Sequence, residues 1–326
     1  MDMHTPKELL TMVNSAIDNI GLGEKPERLY EPIRYVLSIG GKRLRPIMCL
    51  MACEMFEGDL KIALKPALSL EVFHNFTLLH DDIMDKAEKR RNMDCVHIKW
   101  NENVAILSGD AMQIFSYELL KEISDKFLRK SIDLFTKTAM EVCEGQQFDM
   151  DFETKANVTE SDYMEMIRLK TAVLLAASLK MGAILAGSSE KNSDLIYEFG
   201  INIGIAFQLQ DDLLDVYGNC ETFGKNIGGD IVTNKKTLLL INALKKADPE
   251  TKKELESWIE KKEFRPEEKI KAVRTIFDKT NVKTLCQNEM ECHLDKAIKS
   301  IESISISENR KQPLIKLATN LMNRNY

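Results

Sequence analysis

Two segments each place three aspartates at the end of an apolar, helix-compatible run: Leu79-His80-Asp81-Asp82-Ile83-Met84-Asp85 and Leu209-Gln210-Asp211-Asp212-Leu213-Leu214-Asp215. On a helix, Asp81 and Asp85 share one face, one turn apart. Like charges at that spacing repel and destabilise the helix unless something positive sits between them. A second copy of the pattern about 130 residues later makes accident a poor explanation. Clusters built from carboxylates rather than from His or Cys suit a hard cation that takes oxygen ligands, Mg²⁺ above all.

The rest of the chain reads as helix. Glycine (15) and proline (8) are both sparse among 326 residues, and strand-like alternation is absent. Helices are expected over 6–20, 31–38, 47–56, 63–84, 104–120, 131–148, 159–187 and 195–217, with a loop over 218–237 and a helical remainder to residue 326. No composition shift marks a domain boundary, so a single domain over 1–326 is expected. A net charge of −6 gives no electrostatic reason to expect nucleic acid as a partner. The start of the sequence has no basic or apolar leader, and the longest apolar run, 172–187, is broken by Lys180. Neither a signal peptide nor a stable membrane anchor is expected. Seven scattered cysteines without a C-x-x-C pair point to free thiols in a reducing, cytoplasmic setting.

Cations gather at four places. Gly40-Gly41-Lys42-Arg43-Leu44-Arg45-Pro46 puts three of them in a flexible loop at a helix start, which suits an anion such as phosphate. Taken alone, an exposed basic loop explains that stretch equally well. Arg90-Arg91 follow the first aspartate motif and could hold phosphate bidentately, although paired basic residues are commonly just solvated. Lys170-Thr171 interrupts a long apolar stretch, where an unpaired lysine would be expensive. Residues 223–237 combine glycines, Lys225, Lys235, Lys236 and Asp230, the composition of a cationic lid or of a plain polar loop. His74 and Gln208 lie on the motif-bearing helices, where a core role is the bland alternative. Gly200, Gly204 and Ala206 permit close helix packing.

Together these features describe metal-binding carboxylates, anion-binding cations and apolar helices between them. A substrate that is diphosphate at one end and hydrocarbon at the other needs all three. From about Gly40 to Leu240 the sequence resembles the trans-isoprenyl diphosphate synthases (polyprenyl synthetases). The resemblance rests on GGKRLRP (40–46), LLHDDIMD (78–85), RR (90–91), AILSGD (105–110), KTA (170–172), FQLQDDLLD (207–215), and FGK…GGD with NKKT (223–237). One departure is Asn92-Met93-Asp94-Cys95-Val96-His97, where the family more often has Gly-x-Pro-Thr-x-His. It bears on the conformation of that loop and not on the charge of the site.

The resemblance implies an all-α fold, a single large helical bundle around a deep central cavity, and a homodimer. It implies about three Mg²⁺ ions, with Asp81 and Asp85 binding two, Asp211, alone or with Asp215, holding the third, and Asp82 and Asp212 in support. The substrates implied are isopentenyl diphosphate and an allylic diphosphate. The first would be held without metal by Lys42, Arg45, His74 and Arg91. Arg90, Lys170, Lys225 and Lys235 would grip the second, with Thr171 and Gln208 near the developing cation. Metal-assisted ionisation, condensation and elimination would follow.

The growing product must run from the aspartates towards residues that precede Asp81. Thr77 lies one turn back, and Phe76 five residues back, about 7.5 Å along the axis. In the family an aromatic at this place marks short products, C15 or C20, and the pairing of Phe76 with the smaller Thr77 favours C20. The alternatives are a non-catalytic partner subunit, a longer-chain synthase and a terpene cyclase. Partner subunits tend to lose an aspartate motif. Cyclases do not need the GGKRLRP loop and usually replace the second aspartate motif.

Overall fold

The structure, a computed structural model, describes residues 3–218 and 227–322. The fold is all-α. Among the described residues, the only strands are two antiparallel pairs of residues, β1 (Lys89–Arg90) and β2 (Met93–Asp94). The helices are α1 (Pro6–Asp18), α2 (Glu27–Ser38), α3 (Leu44–Met55), α4 (Leu60–Met84), α5 (Val96–Lys99), α6 (Glu102–Leu120) and α7 (Asp125–Thr154). They continue with α8 (Glu160–Ile167), a π-helical turn (Arg168–Ala172), α9 (Val173–Leu185) and α10 (Glu190–Tyr217). The last are α11 (Gly229–Val232), α12 (Leu238–Lys246), α13 (Pro249–Glu260), α14 (Pro266–Lys279), α15 (Val282–Glu302) and α16 (Glu308–Met322). None is long and apolar enough to cross a membrane among the described residues.

The chain gathers into two compact units. One takes Met1–Thr136, Ala177–Tyr197 and Ser305–Leu314; the other takes Lys137–Ala176, Glu198–Ile304 and Ile315–Tyr326. In the first, α4 packs on α3 and α6, and α2 covers α6. Helix α3 is apolar nearly all round, and Met48 to Cys53 have essentially no exposed surface, the mark of a helix enclosed by others. In the second unit, α12 packs against α8, α14 and α15, over a core that includes Tyr163, Phe199 and Phe277. The small residues of α10 do what their size suggests: a Cβ on Gly204 would overlap Ala172 in the π-turn.

Four departures from the expected elements matter for function. Helix α7 runs past Phe148 to Thr154, because its polar end is still helix-compatible. Gln147 donates to Asp151 one turn on, at 2.8 Å. The expected single helix over 159–187 is interrupted by the π-turn at Lys170-Thr171. The loop after α10 contains the short helix α11. The segment 89–94, between the helices expected over 63–84 and 104–120, is a hairpin in which Lys89 faces Asp94 and Arg90 faces Met93. Its two turn residues, Arg91 (φ +53°) and Asn92 (φ +65°), are both left-handed, as a tight hairpin turn of the right twist requires. Asn tolerates that conformation well, so the unusual sequence here still specifies a tight turn.

Candidate functional site

The first aspartate motif closes α4. Asp85 caps the helix and is exposed, Asp81 is half-buried and Asp82 is buried. Arg90, carried by β1, donates from Nε to both Asp82 oxygens at 2.9 Å and from Nη2 to Oδ1 at 2.6 Å. The Asp82 and Asp81 carboxylates keep the Arg90 guanidinium firmly charged against the cost of burial. Asp82 therefore fixes the hairpin to α4, while Asp81 and Asp85 lie further towards solvent.

The hairpin also reaches the glycine loop. The Arg91 guanidinium donates to the Gly40 carbonyl and lies against Gly41, where any Cβ would overlap it. Gly41 has φ +137°, so both its backbone and its missing side chain are required. Arg45 points the same way from the start of α3. Its Nε is buried without a hydrogen-bond partner. Burial lowers its pKa to about 10, opposed by Glu71 and helped by Arg91. The His74 imidazole is pushed well below its usual range by burial, then by Arg45, Arg91, Arg90 and Arg43. It is neutral at pH 7. A buried guanidinium with an unused donor, crowded by other cations, is a site built for an anion.

Arg43 does not belong to that site. It is 4% exposed, and it donates to Glu71 at 2.8 Å and to the Leu37 carbonyl at 2.5 Å. Its charge is used inside the fold. Lys42 beside it is exposed. Phe76 is 7% exposed and packs against Phe73 and, edge-on, against His80, with ring centres 5.4 and 4.8 Å away. The Thr77 hydroxyl donates to the His74 carbonyl at 2.8 Å.

The second unit carries the second aspartate motif on α10. Asp212 is buried and accepts from the Tyr163 hydroxyl and, at 3.0 Å, from Gln208 Nε2. Thr171 in turn donates to Gln208 Oε1 at 3.0 Å. Burial and then the Asp230 carboxylate raise Asp212 to about 7, while Lys235 pulls it down. Asp215 is raised to about 6 by the same two causes, although it accepts from the Asp230 backbone N–H at 2.9 Å. Lys170 donates from Nζ to Asp149 Oδ2 at 2.6 Å. The π-turn adds a residue to the helical turn at Lys170 and Thr171, the kind of irregularity found at functional positions. Lys236, one of the expected lid lysines, donates instead to the Phe152 and Lys155 carbonyls at 2.8 and 2.6 Å. Lys225 lies outside the described residues.

Tyr163 and Asp149 escape sequence reading, and so does the partner of Asp230. Tyr163 lies between Asp162 and Met164 in a mixed stretch that carries no motif. Asp149 lies in a stretch that looks like a frayed helix end. Asp230 reads as a single acid in a basic loop. Their signal exists only in three dimensions, as partners of Asp212, Lys170 and Asp215.

Among the described residues, no three His, Cys, Asp or Glu side chains are gathered to hold a metal ion. The donor chemistry nonetheless fits one. Burial and then the Asp230 carboxylate disfavour the ionised forms of Asp212 and Asp215, which a bound cation would favour. Asp81, Asp85 and Asp211 offer the hard oxygen donors that Mg²⁺ takes.

A family model described as polyprenyl synthetase matches residues 26–277. A geranylgeranyl diphosphate synthase of Methanosarcina mazei is 45% identical over 236 residues, covering 72% of this chain and 73% of its own length. A geranylfarnesyl diphosphate synthase of Natronomonas pharaonis is 39% identical over 250 residues, 71% of this chain and 73% of its own. A crystal structure of a geranylgeranyl pyrophosphate synthase superposes with a TM-score of 0.95 at 43% identity, covering 99% of this chain and all of that one.

Proposed function

The chain belongs to the polyprenyl synthetase family, and we propose that it condenses isopentenyl diphosphate with an allylic diphosphate to give the all-trans C20 product, as a single synthetase domain. It is a trans-prenyltransferase of the short-chain type. The observation that carries the proposal is the contrast between two kinds of anion chemistry. Arg45 and Arg91 form a cationic cluster around the neutral His74 imidazole, and such a cluster suits a diphosphate without metal. The two aspartate motifs suit a diphosphate that arrives with metal. A condensing synthase needs both, whereas a cyclase needs only the second.

Asp81 and Asp85 would hold Mg²⁺ at the first motif, and Asp211 with Asp215 at the second. When bound, it supplies Lewis-acid stabilisation of the charge that builds on the departing diphosphate. Lys170, Lys235 and Arg90 add fixed positive charge for the same oxygens, and Lys225 is assigned there by its sequence motif. The allylic C1–O bond breaks with its electron pair going to the diphosphate. The double bond of isopentenyl diphosphate, held by Lys42, Arg45, His74 and Arg91, then forms the new bond to C1. The Thr171 hydroxyl and Gln208 carboxamide, already hydrogen-bonded to one another, offer oxygen dipoles to the allylic cation. The proton lost from isopentenyl carbon 2 goes to the released diphosphate, so no side-chain base is required.

Phe76 supports a C20 limit, as does the name of the Methanosarcina mazei relative. A homodimer is proposed on the strength of α6, where Leu107 and Ile114, two turns apart, are 60% and 71% exposed. The described cysteines are all free, which favours a reducing, cytoplasmic setting. Incubating the purified chain with Mg²⁺, isopentenyl diphosphate and each of the C5, C10 and C15 allylic primers tests the function. The expected result is elongation of every primer to C20; no product from any of them rejects the proposal.

A further inference from the structure

Lys269 lies on α14, in the part of the chain that carries no recognisable motif, and only 1% of it is exposed. Its ammonium donates to the Val232 carbonyl at 3.2 Å and to Asn234 Oδ1 at 2.7 Å, and it lies 4.3 Å from the centre of the Phe264 ring. Burial holds its pKa below that of an ordinary lysine. An ammonium is kept out of water only where its donors are used. Here they are used on one short piece of chain.

Val232 is the last residue of α11, so Lys269 caps that helix at its carbonyl end. Asn234 is left-handed at φ +57°, and its Nδ2 donates to the Ile259 carbonyl at 3.0 Å. Its side chain is thus clamped between α13 and α14. The next residue is Lys235, whose backbone N–H bonds to the Asp230 carbonyl at 2.9 Å. The Asp230 N–H bonds in turn to Asp215 at 2.9 Å. A continuous chain of contacts therefore runs from Lys269 through Asn234 to the residues that face the second aspartate motif.

We infer that Lys269 is a positioning residue for that motif: through Asn234 it fixes the turn that presents Lys235 and Asp230 to Asp215. The inference rests on the proposed function, because it assigns Lys269 to the allylic diphosphate and not to isopentenyl diphosphate. A lysine that merely fills the core would affect stability alone.

Two variants test it. Lys269→Met keeps the length and removes the donors. Asn234→Gly keeps the left-handed turn and removes the clamp, and it decides the matter if Lys269→Met fails to fold. Each is expected to raise the KM for the allylic diphosphate roughly fivefold while leaving the KM for isopentenyl diphosphate within about twofold. The double variant is expected to be no worse than either single one. Calorimetric titration with inorganic diphosphate and Mg²⁺, in saturating isopentenyl diphosphate, is expected to show the same loss of affinity. Equal changes in both KM values, or a lower melting temperature with unchanged KM values and unchanged diphosphate affinity, overturns the inference. A wild-type chain without condensing activity rejects the functional proposal instead, and the calorimetric measurement still decides the role of Lys269.

Discussion

Arg90 closes on Asp82 through three contacts of 2.6–2.9 Å, joining the hairpin to the end of α4. Asp82 is 5% exposed, so removing its partner strands a buried charge. Arg90→Ala is expected to lower stability by about 2 kcal/mol, below the usual value for a buried pair because the arginine is partly solvated. Arg90→Lys keeps the charge, loses the fork and should fall between. In a denaturant series, adding Asp82→Asn to Arg90→Ala should give back part of the loss. Strict additivity of the two changes would contradict the pairing.

The second motif behaves differently, because neutral groups, Tyr163 and Gln208, hold Asp212. Asp212 and Asp215 are raised to about 7 and about 6, chiefly by burial and then by Asp230. Both would ionise near 4 in the unfolded chain. Between those limits the folded protein binds more protons than the unfolded one. The contribution of these groups is therefore full at about pH 4 and is lost as pH rises through the folded values. With chelator present, the melting temperature of Asp212→Asn should depend less on pH than that of the wild type between pH 5 and pH 8. Identical slopes would show that Asp212 does not titrate in that window.

Product length offers a direct test of the Phe76 assignment. Phe76→Ala should yield prenyl diphosphates longer than those of the wild type when products are separated by chromatography. Because the ring is buried against Phe73 and His80, the change should also cost about 3 kcal/mol of stability. Phe76→Leu should shift the products less and stay closer to wild-type stability. A wild-type product spectrum from a folded Phe76→Ala protein would remove the residue from length control.

The exposed stripe on α6 predicts the oligomeric state. Ile114→Glu, or Leu107→Glu, should convert a dimer to a monomer in sedimentation experiments, since a charge at the centre of an apolar contact is strongly unfavourable. Unchanged sedimentation of both variants would move the contact elsewhere.

The aspartate motifs and the all-helical class were legible because each depends on spacing along one helix. Gly204 was legible as a packing residue for the same reason. The hairpin at 89–94 was hidden because four paired residues carry no alternation. What revealed nothing in one dimension was partnership. Arg43 and Arg45 are two residues apart, yet one is used on Glu71 and the other retains a buried, unused donor. Tyr163 looks like any core aromatic until Asp212 is beside it, 49 residues along the chain. The identity of a cation is written in the sequence, whereas the anion it serves is not.

The π-turn at Arg168–Ala172 also sets a limit on how this chain can be altered. Deleting one residue there would restore regular α geometry and would look favourable to any selection for helical stability. It would also take the extra residue out of the turn and re-aim the side chains within it, while α9 keeps its present face. The Lys170-Thr171 pair could then no longer keep its present partners. Libraries built for thermal tolerance should therefore hold the length of this segment fixed, even where they vary every residue within it.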